Sequence, residues 1–236
     1  MTEPPDPDPY FQAIEETFNR RRGAPLLLSP RDWALIDGFR RDGVPLRLVL
    51  LGIENVFDAF ARRKPGARRI NSLAYCRQEI LGLHEIHLGL QGVAAGSPGE
   101  TSAPDPARAL RRYLARLAKE LREALAAASA AGRDALVGPI AEALAVVRRE
   151  HAVLKKSPAD AAGIERTLAA LDGRLLEAAV AALPPAERAA IDEEADRTLG
   201  EAATRMRPEA RATTRAAARA RLVRRHAGLP RLTLFA

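Results

Sequence analysis

A chain of 236 residues with a single cysteine, Cys76, can form no intrachain disulfide, and its charged side chains interrupt every apolar run well short of the ~20 residues that span a bilayer. The start shows no charged leader followed by an apolar core and a small-residue cleavage site, so a cytoplasmic protein with no membrane partner is expected. The formal charge of +7 is unevenly spread: 13 Lys/Arg stand against 12 Asp/Glu in residues 1–90, 16 against 17 in 91–206, and 8 against 1 in 207–236, which points to an acidic partner met by the C-terminal end.

Residues 1–9 alternate proline with acids, a composition expected to stay disordered. Order is expected from Tyr10, where Tyr10, Phe11, Ile14 and Phe18 recur at helical spacing and Gly23 follows three arginines as a C-cap. Ser29-Pro30 is an N-cap followed by proline at the first helical position, with Asp32 in the first turn. That second helix is expected to bury Trp33, Ile36 and Phe39 and to close at Gly43. A third, from Pro45, carries Leu46, Val49, Ile53, Val56, Phe57 and Phe60 on one stripe and should be the central core helix. Asn71 or Ser72 then caps a fourth, with Leu73, Cys76, Ile80, Leu83, His87 and Leu90 along one face. Together they predict a compact four-helix module over residues 10–90.

Glycine, proline and serine gather over 91–106 and read as a flexible linker. Beyond it the texture becomes Ala/Leu-rich, and Leu110, Leu114, Leu117, Leu121, Leu125 and then Leu136, Ile140, Leu144, Val147, His151, Leu154 trace the seams of a helical bundle or coiled coil over 107–227. Such seams are also long enough for self-association into a homo-oligomer. Gly138-Pro139 should kink or restart one helix, Ser157-Pro158 should start the next, and Pro184-Pro185 should break the chain again before a helix with Ile191, Ala195, Leu199 and Met206. An Arg/Ala helix follows Pro208 to about Ala227, and residues 228–236 form an apolar non-helical tail. With no alternating β-branched or aromatic runs, the fold class expected is all-α.

Catalytic chemistry finds little support. His84 and His87 stand three apart near Cys76, but His87 and Cys76 fall on the apolar stripe, and no second ligand pair at metal spacing appears. The carboxylate pairs Glu54/Asp58 and Asp192/Asp196 read as solvated helix faces, and no Gly-rich phosphate loop is present. No metal, cofactor or enzymatic activity is expected. Basic groups are the better-developed feature. Arg68 and Arg69 stand in a loop just ahead of a helix N-terminus, where phosphate oxygens can also meet free N–H groups. Arg207, Arg211, Arg215 and Arg219 recur every four residues and make one cationic stripe suited to a phosphate backbone, or to an acidic face of the chain's own bundle.

The ordering Leu28-Ser29-Pro30-x-Asp32-Trp33-x-Leu35-Ile36, then Gly43-Val44-Pro45-x-x-x-Val49, then Asn71-Ser72-Leu73-x-Tyr75, resembles the DnaD-type replication-initiation domain over residues 10–90. The resemblance implies DNA contact through the tyrosine-bearing helix, which here directs attention to Asn71, Tyr75 and Arg77 beside Arg68 and Arg69. In the tail, Arg231-Leu232-Thr233-Leu234-Phe235 resembles the bacterial sliding-clamp-binding pentapeptide, with Arg231 where that motif has glutamine. It implies that Leu232, Leu234 and Phe235 dock on a partner such as a sliding clamp or a helicase-loading protein. The function expected is a non-enzymatic DNA-replication accessory or initiation factor. The alternative is a helical scaffold or adaptor without nucleic-acid binding, its arginines serving as internal charge complements.

Overall fold

The computed structural model describes residues 8–23, 28–62, 70–91, 105–154, 160–200, 204 and 206–235. Among these the protein is all-helical: α1 (Pro9–Arg22), α2 (Pro30–Arg41), α3 (Leu46–Arg62), a 3-10 turn η1 (Leu73–Cys76), α4 (Arg77–Leu90), α5 (Pro106–Ala130), α6 (Asp134–Val153), α7 (Ala161–Ala181), α8 (Pro185–Leu199) and α9 (Pro208–Ala227). The described residues divide into two compact units, one running to Tyr113 and taking in Phe235, the other from Leu114 to Leu234. None of the helices is long and apolar enough to cross a membrane.

In the first unit the helix ends follow their punctuation. Asp8 caps α1 by accepting the Tyr10 N–H at 3.0 Å, and Gly23 closes it in the left-handed conformation at φ 75°. Ser29 and Asp32 form a full capping box on α2, each side chain accepting the other's backbone N–H. At the far end Val44 N–H reaches Phe39 O at 2.9 Å and Gly43 N–H reaches Arg40 O at 3.1 Å, a Schellman closure that needs the φ of 69° at Gly43. The core is built on α3, whose Val49 and Ile53 are fully buried with Ile14, Phe18, Ile36, Leu73 and Ile80 around them.

The α3–α4 crossing depends on Gly52. A Cβ there would lie 2.5 Å from Ile80 Cγ1 and 3.2 Å from the Ile80 backbone. Gly52→Val is therefore expected to destabilise the first unit by about 2–3 kcal/mol, as overpacking of a closed core does. Chemical denaturation followed by the fluorescence of Trp33, the chain's one tryptophan, reads this directly, and an unchanged midpoint would contradict so close a crossing.

Trp33 departs from expectation. Its ring is 42% exposed, stacked on Phe11 with centroids 5.0 Å apart, while the neighbouring Asp32 is the buried residue at 3%. In the first turn of α2 the side chain that faces inward is the one with hydrogen bonds to make there. The fourth helix also starts differently: Ser72 caps a 3-10 turn, accepting the Ala74 N–H at 3.2 Å, and α geometry begins only at Arg77.

The division between the two compact units falls inside α5, and residues 92–104 of the expected linker lie outside the described residues. Its first two turns belong with α4: a Cβ on Gly89 would meet Pro106 at 2.4 Å, and Arg112 pairs with Glu85 at 3.1 Å. In the second unit α6 lies against α7, and α9 against both α7 and α8. The seam residues, among them Leu114, Leu121, Leu136, Ile140 and Val147, are buried within this unit. Pro139 does not restart α6; the helix runs continuously through it from Asp134 to Val153. Ser157-Pro158 lies outside the described residues; α7 is capped by Asp160, which accepts the Gly163 N–H at 2.8 Å.

Candidate nucleic-acid interface

Two segments far apart in sequence are tied together at Asp32. Its Oδ2 accepts the Ser29 hydroxyl at 2.7 Å, closing the α2 cap, and its Oδ1 accepts the Ser72 hydroxyl at 2.8 Å and the Leu73 N–H at 2.9 Å. Burial works to raise the Asp32 pKa, but these donors outweigh it and hold the carboxyl below its usual range. One ionised side chain thus fixes the start of α2 beside the start of η1.

Around this knot the surface is aromatic, cationic and open. Tyr75 is 71% exposed on η1, Trp33 stands partly exposed on α2, and Arg31, Asn71 and Arg77 are exposed beside them in sequence. Among the described residues the exposed large apolar side chains are Trp33, Tyr75 and Val153, so both aromatic ones belong to the two segments that Asp32 joins. Arg68 and Arg69 lie outside the described residues. Reasoning from sequence missed Trp33 and the tether itself; the capping box announced Asp32, but nothing local announced its reach to Ser72.

The arginine stripe of α9 is differently placed. Arg215 holds Asp196 through two parallel bonds, Nη2 to Oδ2 at 2.9 Å, and Arg219 pairs with Asp192 one turn further along α9 and one turn earlier along α8. His226 Nε2 lies 2.9 Å from Glu187 Oε2 to make a third rung. Hydrogen bonding from Arg215, followed by the charges of Arg215 and Arg211, holds the Asp196 carboxyl below its usual range. Asp192 and Asp196 are thus arginine partners rather than free solvated faces, and so are Glu54 and Asp58, which Arg21 grips from α1. Arg211 remains exposed on the first turn of α9.

Nor does the tail present free anchors. Leu232 and Leu234 are 0% exposed, with the Leu232 N–H donating to Asp172 Oδ1 at 2.9 Å and the Leu234 N–H to Glu165 Oε2 at 2.9 Å. The reason is hydrogen-bond accounting: Pro230 keeps the segment out of a helix, and two carboxylates of α7 take the N–H groups left over. Phe235 groups instead with the first unit, its ring edge-on to His87 at a centroid separation of 5.7 Å.

The remaining reactive groups are quiet. Burial, then the charge of Arg47, lowers the His87 pKa, and burial, then the charge of His87, lowers that of His84, so both favour the neutral form. Burial pushes the Cys76 thiol up to about 12, with the charges of Glu79 and Asp32 adding to it. Among the described residues no three His, Cys, Asp or Glu side chains form a group that could hold a metal ion.

A family model described only as "Uncharacterised protein" matches residues 9–94. No curated protein matches the chain, and no solved structure does. The matched stretch contains α1 to α4 with η1, and with them Asp32 and every exposed residue about it.

Proposed function

We propose that the protein is a non-enzymatic DNA-binding accessory factor, of the replication-initiation kind its N-terminal part resembles, and that it meets DNA through Asn71, Tyr75 and Arg77 with Trp33 and Arg31 alongside. The observation that carries this reading is the pair of exposed aromatic rings on the segments joined by Asp32, each accompanied by an exposed arginine. An aromatic face offers stacking and a guanidinium offers phosphate contact, the combination nucleic-acid surfaces use. Arg68 and Arg69 precede the same turn in sequence. Recruitment of a replication protein by Leu232, Leu234 and Phe235 would require the two leucines to leave their seat on α7 and Phe235 to leave His87.

Fluorescence anisotropy with single- and double-stranded oligonucleotides across a salt series tests the reading. Affinity should fall steeply with salt, Arg77→Ala should flatten the salt slope by about one, and Tyr75→Ala should weaken binding by about 1–3 kcal/mol for a stacked base. No detectable binding of the intact chain at low salt removes it. A second reading, a helical scaffold whose arginines complement its own acids, is favoured by the Asp192–Arg219 and Asp196–Arg215 pairs, and it is what would remain.

A further inference from the structure

Helices α8 and α9 are joined by a ladder of ion pairs. Rungs recur at Asp196–Arg215 and Asp192–Arg219, four residues apart on both helices, which sets the guanidinium groups about 6 Å apart along the axis. Arg211 continues the row one turn beyond, exposed and close enough for its charge to act on Asp196. The paired side chains remain partly open to solvent, 38% for Arg215 against 54% for Asp196 and 27% against 35% for the next rung, so each is a surface pair of the weak, exchangeable kind. Beneath them Ile191, Ala195 and Leu199 of α8 and Ala218, Leu222 and Val223 of α9 are buried. The two helices therefore share apolar contacts that do not depend on the charges.

We infer that the Arg211, Arg215 and Arg219 face of α9 is a second nucleic-acid backbone surface, masked by Asp192 and Asp196 of α8, which hold its guanidinium groups as phosphates would. The occupant favoured is a phosphate strand rather than an acidic peptide. An acidic helix would repeat α8 and have to replace its apolar contacts, whereas a strand needs only the arginine head groups to turn outward. The inference rests on the nucleic-acid reading for the identity of the polyanion, yet it concerns different residues and fails separately.

The test compares full-length wild type with Asp192→Asn/Asp196→Asn for binding to duplex DNA over a salt series. The double variant should bind about tenfold more tightly at low salt, with a log–log slope steeper by about two, since two arginines become available to release counterions. Adding Arg215→Ala/Arg219→Ala should abolish the gain. Glu123→Gln/Glu177→Gln, which removes the same charge elsewhere on the second unit, should reproduce neither the slope nor the gain. Equal gains in the two double variants would overturn the inference, and so would a gain seen with polyglutamate but not with DNA. Asp196→Asn alone, at an exposed position, should steepen the slope by about one, and it carries the test should the double variant lose helicity. Performing the series again with Tyr75→Ala separates the two surfaces, because the gain from unmasking should survive that substitution whether or not the first unit binds DNA.

Discussion

Replacing Asp172 with alanine is expected to cost the second unit about 3–5 kcal/mol, the penalty of removing one partner from a buried ion pair. Asp172 is buried on α7, where one carboxylate oxygen accepts from the Arg224 guanidinium and the other takes the Leu232 N–H at 2.9 Å. Alanine would leave that guanidinium, whose side chain is only 17% exposed, without its carboxylate, and the Leu232 N–H without an acceptor. The tail should then loosen. Limited trypsin digestion should cleave after Arg231 in the variant and spare that bond in wild type, with loss of the following residues read by mass spectrometry. Asp172→Asn keeps one acceptor and should fall between the two. A denaturation midpoint close to wild type, with the bond after Arg231 still protected, would show that the apolar seat of Leu232 and Leu234 suffices without the carboxylate.

Asp32→Ala should be nearly as damaging to the first unit, by about 3 kcal/mol, since it removes the reciprocal half of the α2 capping box and leaves the half-buried Ser72 hydroxyl and the buried Leu73 N–H without their acceptor. Trp33 sits next to Asp32 in the chain, so its fluorescence should report the change, and hydrogen exchange at Leu73 and Ala74 should accelerate first. The pH dependence has a definite sign. The folded pKa of Asp32 is depressed, so its stabilisation is fully present above the ordinary aspartate value of about 3.9 and is lost as pH falls through the lower folded value. Asp32→Asn should flatten the stability profile in that acid window and leave its shape near neutrality unchanged. Identical acid limbs for variant and wild type would contradict the ionised tether.

The same residues bear on the candidate interface. If Asp32 holds the start of α2 to the start of η1, its loss should impair DNA binding without touching any residue proposed to contact DNA, whereas Tyr75→Ala should impair binding while leaving stability intact.

What the sequence by itself determined is local and periodic. Ser29-Pro30-x-Asp32, Gly23 and Gly43 named the helix ends because capping and left-handed closure are settled by side chains within a few residues. The stripe from Leu46 to Phe60 likewise marked α3 as the core helix, since burial of a helix face follows its repeat. The tertiary structure decided what depends on residues distant in the chain. Asp32 and Ser72, 40 positions apart, make a tether that turns Trp33 outward, and Asp172 reaches 60 positions to hold Leu232. The arginines of α9 had the spacing of a phosphate-binding face and equally that of an internal complement. Only the placement of Asp192 and Asp196 opposite them showed the second to be satisfied in the folded chain, because a charge pattern fixes what a surface can attract while the fold fixes which partner reaches it first.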